Sequence, residues 1–117
     1  MRPTSFPRHL WPLSLHRYRG RLSLGDHDLE ALARKLGTPL YLYDLATLDH
    51  AIAAYRHGLR AWPGPSRITY AAKAWLSLPL VQLLARRGLG FDVVSEGELA
   101  IVLHGGADPR GVHLHGN

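Results

Sequence analysis

Arg67-Ile68-Thr69-Tyr70-Ala71-Ala72-Lys73-Ala74 is the stretch on which the fold and the chemistry of this chain both turn. A short β-rich run (Ile68, Thr69, Tyr70) leads into small residues and then into a single lysine. That lysine is one of only two in the chain, against twelve arginines. A lysine can lose its proton when desolvated and then act as an amine nucleophile, which an arginine cannot do. The alanines on either side leave room for a flat group beside the strand end. The plainer alternative is that Lys73 follows a strand and points into water, as most lysines do.

The segments on either side favour a repeating architecture. Upstream, Asp26 or Asp28 can cap a short helix whose apolar face is Leu29, Leu32, Ala33 and Leu36, with Gly37 and Pro39 ending it. Leu40-Tyr41-Leu42-Tyr43 reads as a strand. Asp44 then caps a helix with the stripe Leu48, Ile52, Tyr55, Leu59 and Trp62, and Pro63-Gly64-Pro65 breaks the chain. After the strand at 67–71, a helix starts near Pro79, buries Leu80, Leu83 and Leu84, and stops at Gly88. Gly90-Phe91-Asp92-Val93-Val94 is the next strand. Ser95 and Glu98 form a capping box for a helix through Leu103, and 111–115 is a further strand.

Strand starts near 40, 67, 90 and 111 with helices between them imply parallel βαβ units. Two architectures fit: an open doubly wound sheet, or a (β/α)₈ barrel, of which four units would be half because a whole one takes ~250 residues. In both, ligands sit at the C-terminal ends of the strands. Lys73, Asp92, Ser95, His115 and Asn117 all map to those ends. Asp92 lies in an apolar strand expected to be covered on both faces, so its carboxylate needs a partner such as a lysine or a cofactor group, or else a loop backbone hydrogen bond. An aldehyde cofactor such as pyridoxal phosphate would use the lysine as a Schiff-base partner.

Other signals are weaker. His113 and His115 share a strand face, a spacing that can bind zinc, but no further ligand pattern accompanies them. His115 is read instead as a residue lining the strand-end site. Gly88-Leu89-Gly90 lies between a helix end and a strand start, the wrong order for a dinucleotide-binding turn. Glu96 and Glu98 are accounted for by helix N-terminus electrostatics.

Composition excludes several classes. The formal charge is +5, but five arginines (2, 8, 17, 19, 21) precede the first acid, and from Asp26 onward nine acids balance nine basic residues. The basic excess is thus N-terminal and gives no general nucleic-acid surface. The chain has no Cys, which removes disulfides and thiolate metal sites. No stretch approaches the ~18 apolar residues of a membrane span, so no membrane partner is expected. Residues 1–25 have the composition of a transit peptide or of an arm that packs through Leu10, Trp11, Pro12 and Leu13. The arm is preferred, because the apolar cluster needs a partner and Leu22 and Leu24 alternate like a short strand.

Taken together, Leu10-Trp11-Pro12-Leu13, Gly37-Thr38-Pro39-Leu40-Tyr41-Leu42-Tyr43-Asp44, Tyr70-Ala71-Ala72-Lys73-Ala74, Phe91-Asp92-Val93-Val94-Ser95-Glu96-Gly97-Glu98-Leu99 and His113-Leu114-His115-Gly116-Asn117 make the chain resemble the N-terminal part of diaminopimelate decarboxylases. These are alanine-racemase-like, fold-type III pyridoxal phosphate enzymes. The resemblance implies an α/β fold comprising an N-terminal arm (1–25) and the first four strands of a pyridoxal-phosphate-binding (β/α)₈ TIM barrel (26–117). The arm would join a C-terminal β domain that belongs to later segments. It further implies that Lys73 holds pyridoxal phosphate covalently, that Ala71 lines the cofactor, that Asp92 sits beside cofactor and lysine, and that His115 faces the site. The implied reaction is decarboxylation of meso-diaminopimelate to L-lysine, in a cytoplasmic homodimer with a small amino-acid substrate. Trp75 departs from the family pattern, where many members carry Asn after Lys-Ala. The family's stacking histidine, glycine-rich phosphate loop, substrate arginine and partner-subunit cysteine and tyrosine have no counterparts here. The expectation is therefore an N-terminal fragment inactive alone, with another decarboxylase or racemase of this fold, or a pyridoxal-phosphate carrier or inactive truncated product, as alternatives.

Overall fold

The computed structural model describes residues 8–116, so Asn117 lies outside the described residues. They divide into two compact units between His57 and Gly58.

The first unit contains an antiparallel sheet, β1 (Leu15–Tyr18), β2 (Arg21–Leu24) and β3 (His27–Asp28), and the helices α1 (Leu29–Leu36) and α2 (Leu45–Leu59). Tyr18 pairs with Arg21, leaving Arg19-Gly20 as a two-residue hairpin loop. Both have positive φ (49° and 82°), the geometry whose twist matches that of the flanking strands. Asp28 caps α1 by accepting from the Ala31 N–H, so of the two candidate caps it is the second that serves. Gly37 ends α1 at φ 86°, a value that suits a residue without Cβ.

Polar groups tie residues 13 and 14 to the start of α2. The Ser14 hydroxyl donates to Asp44 Oδ1 at 2.6 Å, the Ser14 N–H donates to Oδ2, and the Leu13 N–H donates to Thr47 Oγ1 at 2.7 Å. Asp44 simultaneously caps α2 by accepting from the Thr47 N–H. Of the apolar cluster expected to pack, Leu10 and Leu13 are exposed, while Trp11 and Pro12 are half-buried. Burial pushes the Asp44 carboxyl up, but hydrogen bonds from Ser14 and Thr47 outweigh that and hold it at about 2, below the ordinary 3.8. A depressed carboxyl stabilises the folded state above its unfolded value, and that contribution is lost as pH falls through about 2. Asp44→Ala is expected to cost about 1–2 kcal/mol at neutral pH, as loss of a helix cap does. The difference from the wild type should shrink between pH 4 and 2 in urea titrations, and a cost independent of pH would contradict this account.

Residues 40–43, expected as a strand, form no ladder; Tyr41 and Tyr43 are exposed. A strand exists only through its partner's hydrogen bonds, and none is supplied here. On α2 the expected stripe buries only Ile52. Tyr55 is exposed, and Trp62 lies beyond the helix end and is exposed too.

The second unit is a parallel sheet in the order β4 (Thr69–Ala71), β5 (Gly90–Val93), β6 (Val112–Leu114). Helix α3 (Leu78–Arg86) connects β4 to β5, and α4 (Glu96–His104) connects β5 to β6. Each strand adds beside its predecessor, as a barrel requires. Ser77 caps α3 by accepting from the Leu80 N–H, with Pro79 in the first turn where its missing N–H costs nothing. Ser95 accepts from the Glu98 N–H at 3.2 Å, while Glu98 reaches back to the Val94 N–H at 2.8 Å, so the expected capping box forms one residue wider.

Phe91 and Val93 are wholly buried, as are Val81 and Leu84 of α3 and Val102 of α4; these five side chains are the centre of the core. Each contributes roughly 1.5–3 kcal/mol through apolar burial. The strands cross closely at their N-terminal ends, where a Cβ on Gly90 would sit 2.5 Å from the Gly111 carbonyl oxygen. Arg67 lies over this crossing and donates to the Arg110 carbonyl.

Candidate active site at the strand ends

Ladder register decides which side chains share a face. Ala71 pairs with Asp92, and Asp92 with His113. Laterally paired residues of parallel strands point the same way, so these three stand on one face. Tyr70, Phe91 and Val112, the adjacent set of partners, stand on the other, where Phe91 is in the core. Asp92 was expected in a strand covered on both faces. Among the described residues only the Phe91 face is closed, and Asp92 is half-buried.

The ladder runs one residue past β6, because the His115 N–H donates to the Val93 carbonyl at 2.8 Å. Alternation returns His115 to the Asp92 face, and its Nε2 lies 3.4 Å from Asp92 Oδ1. The pair is an ion pair when the imidazole is protonated. Both side chains reach solvent, so it holds orientation more than stability, about 0–1 kcal/mol. The carboxylate expected to need a partner therefore has His115. An open depression lined by Val94, Leu114, His115 and Gly116 lies at the same strand ends.

Lys73 sits in a single 3-10 turn, Ala72–Ala74, that begins where β4 stops. Its side chain is exposed, whereas the preceding Ala72 is buried and pins the turn to the sheet. The turn packs against β5. Ala71, Ala72 and Ala74 crowd it with nothing larger than a methyl group. Ser95 is occupied as the α4 cap. Among the described residues no group of three or more His, Asp or Glu is arranged to hold an ion. The Tyr70 hydroxyl, which donates to the Trp75 carbonyl at 2.8 Å, escapes a reading of sequence because its acceptor is backbone.

Ala71, Asp92, His113 and His115 share one face of the parallel sheet, and Lys73 stands one turn beyond the end of β4. The family of pyridoxal-dependent decarboxylases, described by its pyridoxal binding domain, matches residues 45–117, and the chain belongs to that family. It is 47% identical over 81 residues to the diaminopimelate decarboxylase of Synechocystis, covering 68% of this chain and 17% of that one. With the Bacillus subtilis diaminopimelate decarboxylase it shares 37% over 98 residues, covering 84% and 22%. Among solved structures, diaminopimelate decarboxylase from M. jannaschii superposes with a TM-score of 0.82 at 32% identity, over 88% of this chain and 25% of that one. The chain thus spans a quarter or less of the relatives it matches, and its fold is part of the decarboxylase barrel. No helix among the described residues is long and apolar enough to cross a membrane.

Proposed function

We propose that this chain is the cofactor-lysine portion of a diaminopimelate decarboxylase, a carboxy-lyase converting meso-diaminopimelate to L-lysine with pyridoxal phosphate. The observation that carries the reading is the position of Lys73, exposed in the turn directly after β4, beside a strand whose Ala71 is in register with Asp92. The residues present fit such a cofactor. A primary amine is accessible after β4, the flanking side chains are small, and a carboxylate–imidazole pair stands on the same sheet. Pyridoxal phosphate, when bound, offers an electron sink for the electron pair left by departing CO₂.

The chain's own residues would then divide the work. Lys73 Nζ is the covalent anchor between turnovers and carries a proton to or from the reacting carbon. Ala71 leaves space where a larger side chain would block the ring. Asp92 holds a carboxylate in register with Ala71, and its contact with His115 orients that imidazole. The reading includes a small amino-acid substrate, a cytoplasmic homodimer in the complete protein, an arm over 1–25, and no turnover by these residues alone.

The test is a chimera in which this chain replaces the matching N-terminal segment of the Bacillus subtilis enzyme. It is expected to release CO₂ from meso-diaminopimelate in preference to ornithine or arginine. A chimera that folds and binds pyridoxal phosphate yet leaves meso-diaminopimelate untouched would sink the assignment.

A further inference from the structure

We propose that Tyr70 is a positioning residue for Lys73, acting through a tether that closes the lysine's turn. The proposal rests on the reading of Lys73 as the cofactor lysine. Tyr70 is the middle residue of β4, and its side chain lies on the face opposite Ala71 and Asp92. Its ring meets Phe91 edge-on, with centroids 6.4 Å apart and planes at 74°. Phe91 is wholly buried, so the ring is braced against the core of the unit. From there the hydroxyl donates to the Trp75 carbonyl at 2.8 Å.

That hydrogen bond spans residues 71–74, the segment that contains Lys73. One end of the segment leaves the β4 ladder at Ala71. The other is extended backbone at Trp75, φ −176° and ψ 139°. A turn of one 3-10 step has little stability of its own. The buried Ala72 fixes its start, and the Tyr70 hydroxyl fixes its end. Lys73 lies between the two fixed points. An exposed lysine on a loose loop would sample many positions. On a closed turn its Cα has one, which is what preorganised attack on a cofactor aldehyde needs. Tyr70 touches neither substrate nor cofactor in this account; it acts through the turn.

Lys35, the chain's other lysine, provides an internal reference, being exposed in the last turn of α1. The purified 117-residue chain is given limiting pyridoxal phosphate, reduced with borohydride, and the adducts on Lys73 and Lys35 are counted by peptide mapping. The wild type is expected to label Lys73 in preference. Tyr70→Phe keeps the ring against Phe91 and deletes only the hydroxyl. It is expected to lower the Lys73-to-Lys35 ratio about fivefold, the worth of one ordinary hydrogen bond. Far-UV circular dichroism should be unchanged, and backbone amides at 74–76 should exchange faster even without cofactor. If the wild type prefers Lys73 and Tyr70→Phe prefers it equally, the tether is refuted while the reading of Lys73 stands. If the wild type shows no preference, the reading of Lys73 fails and the proposal falls with it. Collapse of the far-UV signal in Tyr70→Phe would also refute it, because the hydroxyl would then serve the fold at large.

Discussion

In the chimera with the Bacillus subtilis enzyme, Lys73→Ala is expected to reduce decarboxylation by about 10²–10⁴-fold from lost proton transfer alone, and further through loss of the covalent anchor. Lys73 is exposed and bears no part of the core, so the substitution should leave folding intact. The separation between chemistry and stability is the useful feature. Far-UV circular dichroism and urea midpoints should match those of the parent chimera while CO₂ release disappears. Added alkylamines should restore a small part of the rate if the missing group is a base and nothing else. A Lys73→Ala chimera that retains a substantial rate would move the cofactor lysine elsewhere, and Lys35 on α1 is the only other candidate in this chain.

The second large effect concerns the sheet that carries the lysine. Phe91→Ala is expected to destabilise the second unit by about 3–5 kcal/mol. Phe91 is wholly buried at the centre of β5, between ladders to β4 and β6. Its removal leaves a cavity in the core to which Val81, Leu84 and Val102 also belong, and α3 and α4, held by their own caps, limit its collapse. Tyr70 would lose the ring against which it is braced. A loss of that size is comparable to the whole stability of a small unit, so the sheet should be largely unfolded at room temperature. The check is urea denaturation followed by circular dichroism. A midpoint within experimental error of the wild type would show that β5 is not the core strand.

The parallel sheet was legible because its signals are local. Ser77 and Pro79 announce α3, Ser95 and Glu98 announce α4, and the apolar runs between them have nowhere to go but a covered strand. The expected strands at 67, 90 and 111 fall at 69, 90 and 112. What failed depends on partners distant in sequence. Leu40 to Tyr43 has the composition of a strand but meets no ladder, and Tyr55 has the spacing of a buried residue but is exposed. Periodicity tells which face a segment offers and not whether anything covers it. β1 went unread because Leu15-His16-Arg17-Tyr18 is too polar, and its hairpin is set by positive φ at Arg19, an uncommon residue for that conformation.

At the site, Lys73, Asp92, Ser95 and His115 map to the strand ends from element order, whereas Ala71 entered through the family resemblance. The contact between Asp92 and His115 could not, because it depends on the ladder continuing one residue past β6. The hydrogen bonds that join Ser14 to Asp44 escape sequence for a related reason, since they depend on a meeting of segments thirty residues apart.

The most direct measurement is the absorbance spectrum of the purified chain with pyridoxal phosphate, before and after borohydride, followed by mapping of the trapped adduct. The account predicts a new cofactor band that borohydride removes, with the adduct on Lys73 far above Lys35. Absence of the band, or equal labelling of the two lysines, would contradict it.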